Sequence, residues 1–408
     1  LLQSRHPSPP SLTCVMTKLP YARATYAVLI SMFIFACSSN IMFACLRQAS
    51  QTFQVSFEDM TPIISVQFSG FFLTCLLGGI ASDRFGKKRV MLLGCFLTML
   101  GALGWTMASG LRAAYVGAFI LGMGGGILET IGAAILTDLH PERSKFFMNL
   151  SQAAYCLGAI GSPALMAVLL PLGLSWRWFF FGNAVIAVIL GVMYMGVTLA
   201  KSSEGSRQRG NLRSVMRVLP TIIIPCICIF CYVFSEMATA GFLGERLAQL
   251  NAPESMTIFA LSLFWSAMIL GRIACAFLPQ NQAYEHIIGA LLLLAGLACV
   301  AQSMVQTWQA SIALFTLTGL AFAGTWPMIV SMASYRNLED SGVAAGITIS
   351  IGSLGCIANP IVIAPIFKAG RHDQAFMLLG CILLFGAAMM LLSLVARLHK
   401  TRTQTQPN

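Results

Sequence analysis

Of the fourteen acidic residues in this sequence, only Glu129 and Glu236 lie inside long apolar stretches. A carboxylate in a bilayer core is costly unless it is protonated, paired or facing water, so it indicates a functional site. Removal from water favours the protonated form of Glu129, which can therefore carry a proton and release it as access to water alternates. Glu236 can carry a proton or accept a hydrogen bond from a solute hydroxyl, and we expect it in the outer, more solvated part of its helix. The alternative for either residue is a structural pair with a polar neighbour.

The elements that position these acids are predicted to be membrane-spanning helices. The chain has 408 residues, of which 57% are hydrophobic and 10% charged, too few charges to cover a soluble protein of this length. About twenty apolar residues span a hydrocarbon core, and continuous runs of that length favour helices over barrel strands. We predict an all-α polytopic membrane protein with twelve spans, at 23–46, 59–82, 89–108, 113–137, 146–171, 177–199, 218–243, 255–278, 286–305, 309–334, 341–366 and 374–396.

The distribution of Lys and Arg predicts the orientation. With the N-terminus inside, eighteen of these residues lie on the inner side and six on the outer side, with Arg272 at the inner end of a helix. This places both termini in the cytoplasm and the protein in the cytoplasmic (inner) membrane. The net charge of +11 follows from this topology, so we expect no nucleic-acid partner.

The spans divide into two sets of six. The basic stretch 200–217 separates a first bundle at 23–199 from a second at 218–396, with cytoplasmic tails at 1–22 and 397–408. The polar, Pro-rich residues 1–15 do not resemble a signal peptide, and Met16 is the first plausible start. We therefore expect residues 1–15 to be untranslated and leave them out of the fold prediction.

The loop after the second span carries a spaced set of Gly, Asp and basic residues. It reads Gly79-Ile-Ala-Ser-Asp83-Arg84-Phe-Gly86-Lys87-Lys88. Gly79 allows two helices to approach closely, Gly86 suits a tight turn, and Asp83 can face a helix N-terminus or a cation. A merely basic cytoplasmic loop would explain the charges but not the spacing of the Gly and Asp residues.

This loop resembles the signature G-x-x-x-D-R-x-G-R-[KR] of the major facilitator superfamily, with Lys87 in place of the usual Arg. The resemblance implies a two-bundle transporter in which this gating motif (Gly79, Asp83, Arg84, Gly86, Lys87 and Lys88) holds the halves together in the outward-open state.

Further stretches resemble the fucose permease-like sugar:proton symporters. They are Leu128-Glu129-Thr130, the run 149–153 (Asn-Leu-Ser-Gln-Ala), the run 232–236 (Tyr-Val-Phe-Ser-Glu), Phe264-Trp265 and Trp326-Pro327. The first span departs from that group, because it lacks an acid and has Asn40 as its strong polar residue; Ala133 and Tyr155 replace two amides.

The resemblance implies a small sugar-like solute and protons as ligands, with Glu129 and Glu236 coupling the protons. Sugar recognition needs hydrogen-bonding amides and an aromatic face for the ring. The candidates for these roles are Gln152, Asn149, Asn40 and Asn359 as amides, and Tyr155, Trp265 and Trp326 as aromatic residues.

The leading hypothesis is therefore a secondary importer of a small polar solute, a monosaccharide, driven by proton symport and working as a monomer in the lipid bilayer. Two alternatives stay open: a proton-coupled drug or metabolite exporter, for which 158–163 is a partial motif, and a non-transporting solute sensor. We expect no enzyme activity, cofactor or metal, because the sequence shows no phosphate-binding loop and no nucleophile–base pair.

Overall fold

The structure of the chain is a computed structural model that describes residues 21–55, 60, 62–170, 172–197, 199, 212–279 and 283–404. Residues 1–20 of the predicted N-terminal tail and residues 200–211 of the predicted linker lie outside the described residues. Within them the chain forms thirteen α-helices: α1 Ala22–Phe53, α2 Pro62–Phe85, α3 Lys87–Thr106, α4 Leu111–Leu139, α5 Ser144–Leu169, α6 Arg177–Met195, α7 Leu212–Gln249, α8 Glu254–Ala276, α9 Tyr284–Met304, α10 Trp308–Phe322, α11 Thr325–Tyr335, α12 Ser341–Lys368 and α13 His372–Gln404.

These helices match the predicted spans. In the described part of the chain, eleven helical runs are long and apolar enough to cross a membrane, with α10 and α11 forming one run, Trp308–Tyr335. The remaining predicted span corresponds to α5, which is not among these eleven runs; it has 26 residues and contains Pro163. The prediction of an all-α polytopic membrane protein is confirmed.

The predicted tenth span is not a single helix. It divides between Phe322 and Thr325. Pro327 has no backbone N–H, so the carbonyl of Ala323 lacks the donor that a continuous helix would supply. The helix restarts when Met328 N donates to Gly324 O at 3.0 Å. The break leaves a carbonyl free in the middle of the protein.

The first six helices pack mainly on one another, and so do α7–α13. In the first half α2 and α3 pack on α4, and α1 packs on α5; in the second, α7 packs on α12 and α9 on α13. A Cβ atom on Gly122 of α4 would lie 1.9 Å from the carbonyl oxygen of Gln67 in α2. Only glycine permits the two backbones to approach this closely.

The two halves meet along a few helices. The contacts join α2 and α4 to α12, and α5 to α8 and α11. We call the side of the membrane that carries Asp83 the inner side, following the orientation that the charges predict. The cavity described next lies between these contacting helices.

Candidate functional site

A cavity of about 130 Å³ lies between the two halves, and six predicted site residues line it. The first half contributes Glu129 from α4 and Gln152 and Tyr155 from α5. The second half contributes Glu236 from α7, Trp265 from α8 and Trp326 from α11. Residues from Phe35 to Cys356, far apart in the sequence, therefore line one site.

The two glutamates are each buried beside a polar side chain from the same half. Glu129 is 7% exposed and faces the side-chain amide of Gln152. Glu236 is 6% exposed and lies beside the hydroxyl of Tyr232. The expectation of a solvated position for Glu236 is wrong, because α7 places it inside the cavity rather than at the outer surface.

Arg272 is a cavity residue that the sequence prediction missed. We expected it at the inner end of a helix, but it lies one turn before the end of α8 and is only 4% exposed. Its Nη1 donates to the carbonyl of Gln152 at 2.9 Å and to Cys156 Sγ at 2.8 Å, both in the other half. Its Nε donates to the carbonyl of Ala323 at 3.3 Å, the one left free by Pro327.

The three ionisable groups form one electrostatic unit. Glu129 interacts with the charges of Arg272 and Glu236, and Glu236 interacts with Arg272. An arginine side chain stays protonated in proteins. With both glutamates ionised the unit carries a net charge of −1, and one proton on the pair makes it neutral. Because a buried net charge is costly, this cavity is suited to binding one proton.

Aromatic rings form a large part of the remaining cavity wall. Phe35 stacks on Phe71 with ring centroids 5.4 Å apart, and Tyr155 packs at 5.5 Å from Phe35. Trp265 and Trp326 line the cavity from the second half. Flat apolar faces next to hydrogen-bonding groups are what a small solute with both polar and C–H surfaces requires.

The structure does not bring the three predicted asparagines into this cavity lining. Asn40 Nδ2 donates to the carbonyl of Ala36, and Asn149 Nδ2 to that of Lys145, each within its own helix. Asn359 Nδ2 donates to the carbonyl of Phe234 across α7 and α12. These side-chain amides stabilise helices and helix contacts in the conformation observed.

The gating motif joins the two halves on the inner side. Asp83 accepts hydrogen bonds from the backbone N–H groups of Gly342 at 3.2 Å and Val343 at 2.8 Å, at the start of α12. A carboxylate is stabilised there by the free N–H groups and the helix dipole. A Cβ atom on Gly79 would lie 2.3 Å from the carbonyl oxygen of Gly342, so α2 and α12 touch through backbone.

Lys87 completes this junction. It pairs with Asp138 of α4 and donates to Ser341 Oγ at 2.7 Å, while Ser341 donates to Asp138 at 2.8 Å. Gly86, with φ at +91°, makes the turn that places Lys87 at the start of α3.

The other two basic residues of the motif make contacts within the first half. Lys88 donates to the carbonyls of Met195 and Val197, each at 2.8 Å, and Arg84 lies over the ring of Phe85.

A second group of contacts joins α5 to the second half. The hydroxyls of Ser144 and Ser331 are 2.6 Å apart, and Ser331 also contacts the hydroxyl of Tyr284 at 2.8 Å. Lys145 Nζ lies 4.6 Å from the centre of the Tyr284 ring and donates to the carbonyl of Pro279 at 3.3 Å. Both groups of contacts hold the inner ends of the halves together.

Comparison with known proteins identifies the family. The family model of the Major Facilitator Superfamily matches residues 28–278, more than half of the chain. The chain belongs to the major facilitator superfamily. As a member of the superfamily it is a multi-pass membrane transporter, as the resemblance of the gating motif implied.

Several known proteins are similar to this chain along most of their length. A TsgA homolog of Erwinia tasmaniensis is 21% identical over 353 residues, covering 84% of this chain and 88% of the relative. The E. coli fucose:proton symporter superimposes with a TM-score of 0.78 at 19% identity, covering 91% of this chain and 99% of that one. A proton:xylose symporter gives a TM-score of 0.76 at 13% identity, covering 90% and 94%. At these identities the structural likeness shows the shared fold.

Proposed function

We propose that this transporter imports a small polar solute of the monosaccharide class by proton symport, working as a monomer in the cytoplasmic membrane with both termini inside. The observation that carries the proposal is the cavity itself. It combines Glu129, Glu236 and Arg272 with the Gln152 amide and aromatic walls, all between two halves that are joined on the inner side. The fucose:proton and proton:xylose symporters that share the fold support the same class of activity.

The proposed mechanism depends on how the cavity residues and the inner contacts are divided between the two halves. A solute enters from the outer side while the gating motif keeps the inner ends together. A proton on the glutamate pair neutralises the cavity, and the bundles then rock so that the cavity meets the inner side. Binding of solute and proton changes the relative stability of the two states, which is how the gradient drives accumulation.

The size of the cavity favours a small solute over drug export. Its volume of about 130 Å³ is below the roughly 300–1,000 Å³ typical of sites for drug-sized ligands. Hydrogen-bonding groups from both halves also suit a molecule with several hydroxyl groups.

The proposal is tested by uptake into proteoliposomes containing the purified full chain. A panel of radiolabelled neutral monosaccharides and one sugar acid is presented with and without an inwardly directed proton gradient. We expect at least one neutral monosaccharide to accumulate only when the gradient is present. Accumulation of the sugar acid alone, or equal uptake with and without the proton gradient, would contradict the proposal.

Gln152→Ala is expected to weaken solute binding by about 1–3 kcal/mol, or roughly 5- to 150-fold in Kd. Gln152 is 4% exposed and lines the cavity, so loss of its amide leaves a solute hydroxyl without a partner in a buried site. The measurement is equilibrium binding of the accumulated sugar to purified protein. Asn149→Ala, one turn earlier on α5, removes an amide outside the cavity lining and should leave Kd unchanged; the opposite ranking would remove Gln152 from the site.

A further inference from the structure

Arg272 connects the charged cavity to the contact between the halves. It belongs to α8 in the second half, yet two of its hydrogen bonds go to α5 in the first half, at Gln152 O and Cys156 Sγ. At 4% exposure it has little water to replace them. Any separation of α5 from α8 therefore removes hydrogen bonds from a permanently charged, buried group.

We propose that Arg272 is the positioning residue that couples opening of the inner side to release of the proton from Glu236. The proposal rests on the proton coupling proposed above. In the conformation observed, the guanidinium of Arg272 donates hydrogen bonds to the carbonyl of Gln152 and the thiol of Cys156 on α5. When α5 moves away, the guanidinium turns to the carboxylate of Glu236 and remains protonated itself. The proton leaves the Glu236 carboxyl for water on the inner side, and the ionised pair of Arg272 and Glu236 stabilises the open state.

Glu236 is the partner of Arg272 because both residues lie in the second half. Glu236 and Tyr232 lie on α7, which packs against α8 within the second half, so they stay beside Arg272 during a rocking motion. Glu129 lies on α4 and moves with Gln152 and the rest of the first half. Within the described chain, neither glutamate comes within 4 Å of the guanidinium in this state, so the close pair remains to be formed.

The other ionisable groups around Arg272 do not compete for this role. The groups that interact electrostatically with Arg272 or with Glu236 come from α4, α5, α7 and α12, and are Glu129, Tyr155, Cys156, Tyr232 and Cys356. Tyrosine and cysteine side chains are ordinarily neutral below pH 8, which leaves the two carboxyl groups and the guanidinium as the charges.

The sign of the pH dependence follows by linkage. If the inner-open state binds the Glu236 proton more weakly than the inner-closed state, alkaline pH favours the inner-open state and acidic pH favours the closed one. Removing the charge of Arg272 removes the cause of this difference. A residue needed only for folding would lower stability without changing the pH profile.

The experiment measures access to the inner contact without any solute. Ser331→Cys places a thiol of similar size at the Ser144 contact, and inside-out membrane vesicles are labelled with a membrane-impermeant maleimide at acidic and alkaline pH. The chain that keeps Ser331 gives the background from native cysteines. Because the thiolate is the reacting form, each labelling rate is divided by the rate of free cysteine with the same reagent at the same pH. We expect this normalised rate to be several-fold higher at alkaline than at acidic pH for Ser331→Cys alone, and the alkaline-to-acidic ratio to fall to unity when Arg272→Gln is added. Arg272→Lys keeps the charge and should keep the direction of the pH dependence.

Two further variants decide the result even if Arg272→Gln fails to fold. In the Ser331→Cys background, Glu236→Gln should also abolish the alkaline-to-acidic ratio, whereas Glu142→Gln, which removes an exposed carboxyl group outside the cavity lining, should retain it. A ratio that is absent in the starting protein, or that survives both Arg272→Gln and Glu236→Gln, overturns the proposal. Because this measurement needs no solute, it can succeed while the uptake experiment fails, and the reverse, so the two proposals are tested separately.

Discussion

Glu129→Gln is expected to abolish proton-driven accumulation of solute while leaving solute exchange across the membrane largely intact. The amide keeps the size and hydrogen-bonding shape of the protonated carboxyl, so the cavity stays neutral and the bundles still rock. Without the charge of Glu129, an ionised Glu236 already balances Arg272, so the pair takes up no proton and the gradient no longer contributes to transport. The measurement compares uphill uptake with counterflow in proteoliposomes, where the accumulation ratio should fall to unity.

The matched control for this prediction is Glu142→Gln. Glu142 lies in the short turn Pro141–Arg143 between α4 and α5, in the same half as Glu129, and is exposed. Its neutralisation should leave both uptake and counterflow unchanged. If the Glu129→Gln protein still concentrates solute against a gradient, Glu129 is not a coupling acid.

Gly79→Val is expected to prevent closure of the inner side and to stop transport. Its Cβ would lie 2.3 Å from the carbonyl oxygen of Gly342, and a backbone atom cannot rotate away as a side chain can. Overpacking of this kind typically costs about 1–3 kcal/mol, which shifts the equilibrium between closed and open states roughly 5- to 150-fold. The measurement is maleimide labelling of Ser331→Cys in inside-out vesicles, together with the rate of sugar uptake.

Gly182→Val serves as the control for the glycine substitution. A Cβ at Gly182 on α6 meets nothing within 4 Å, so the same chemical change should leave labelling and uptake as they are. Equal labelling in the two variants would show that the close contact of α2 with α12 does not hold the inner side closed.

Much of the fold follows from one-dimensional features of the sequence. The length of the apolar runs predicts the helices, and the spacing in the gating motif predicts the family. Both signals come from residues that are near one another in the chain. The break at Phe322–Thr325 was missed, since apolar content is continuous across it. Pro327 carried the signal, because the carbonyl four residues before a proline loses its helical donor.

The site was predictable only in part, because the sequence gives a residue's position along a helix more readily than the direction of its side chain. The low charge density around Glu129 and Glu236, and the family resemblance at Gln152, singled out three residues that line the cavity in the structure. Asn40 and Asn149 were candidates for the same role as Gln152, but their side-chain amides donate to the carbonyl four residues earlier, which depends on local packing.

Arg272 was missed for a related reason. Assigning it to a helix end treated it as one more inner-side charge, although an arginine inside an apolar run is itself evidence of a functional site. Its depth became clear only when α5 and Ala323 were seen around it.

Proton movement caused by the solute is the most direct test of the idea that the buried glutamates couple protons to transport. Proteoliposomes in weak buffer, with no initial pH gradient, receive the accumulated sugar while external pH is recorded. Symport predicts that the medium becomes more alkaline as sugar enters, and that Glu129→Gln abolishes this change while counterflow continues. Sugar entry without alkalinisation of the medium, or with acidification, would contradict proton symport through this cavity.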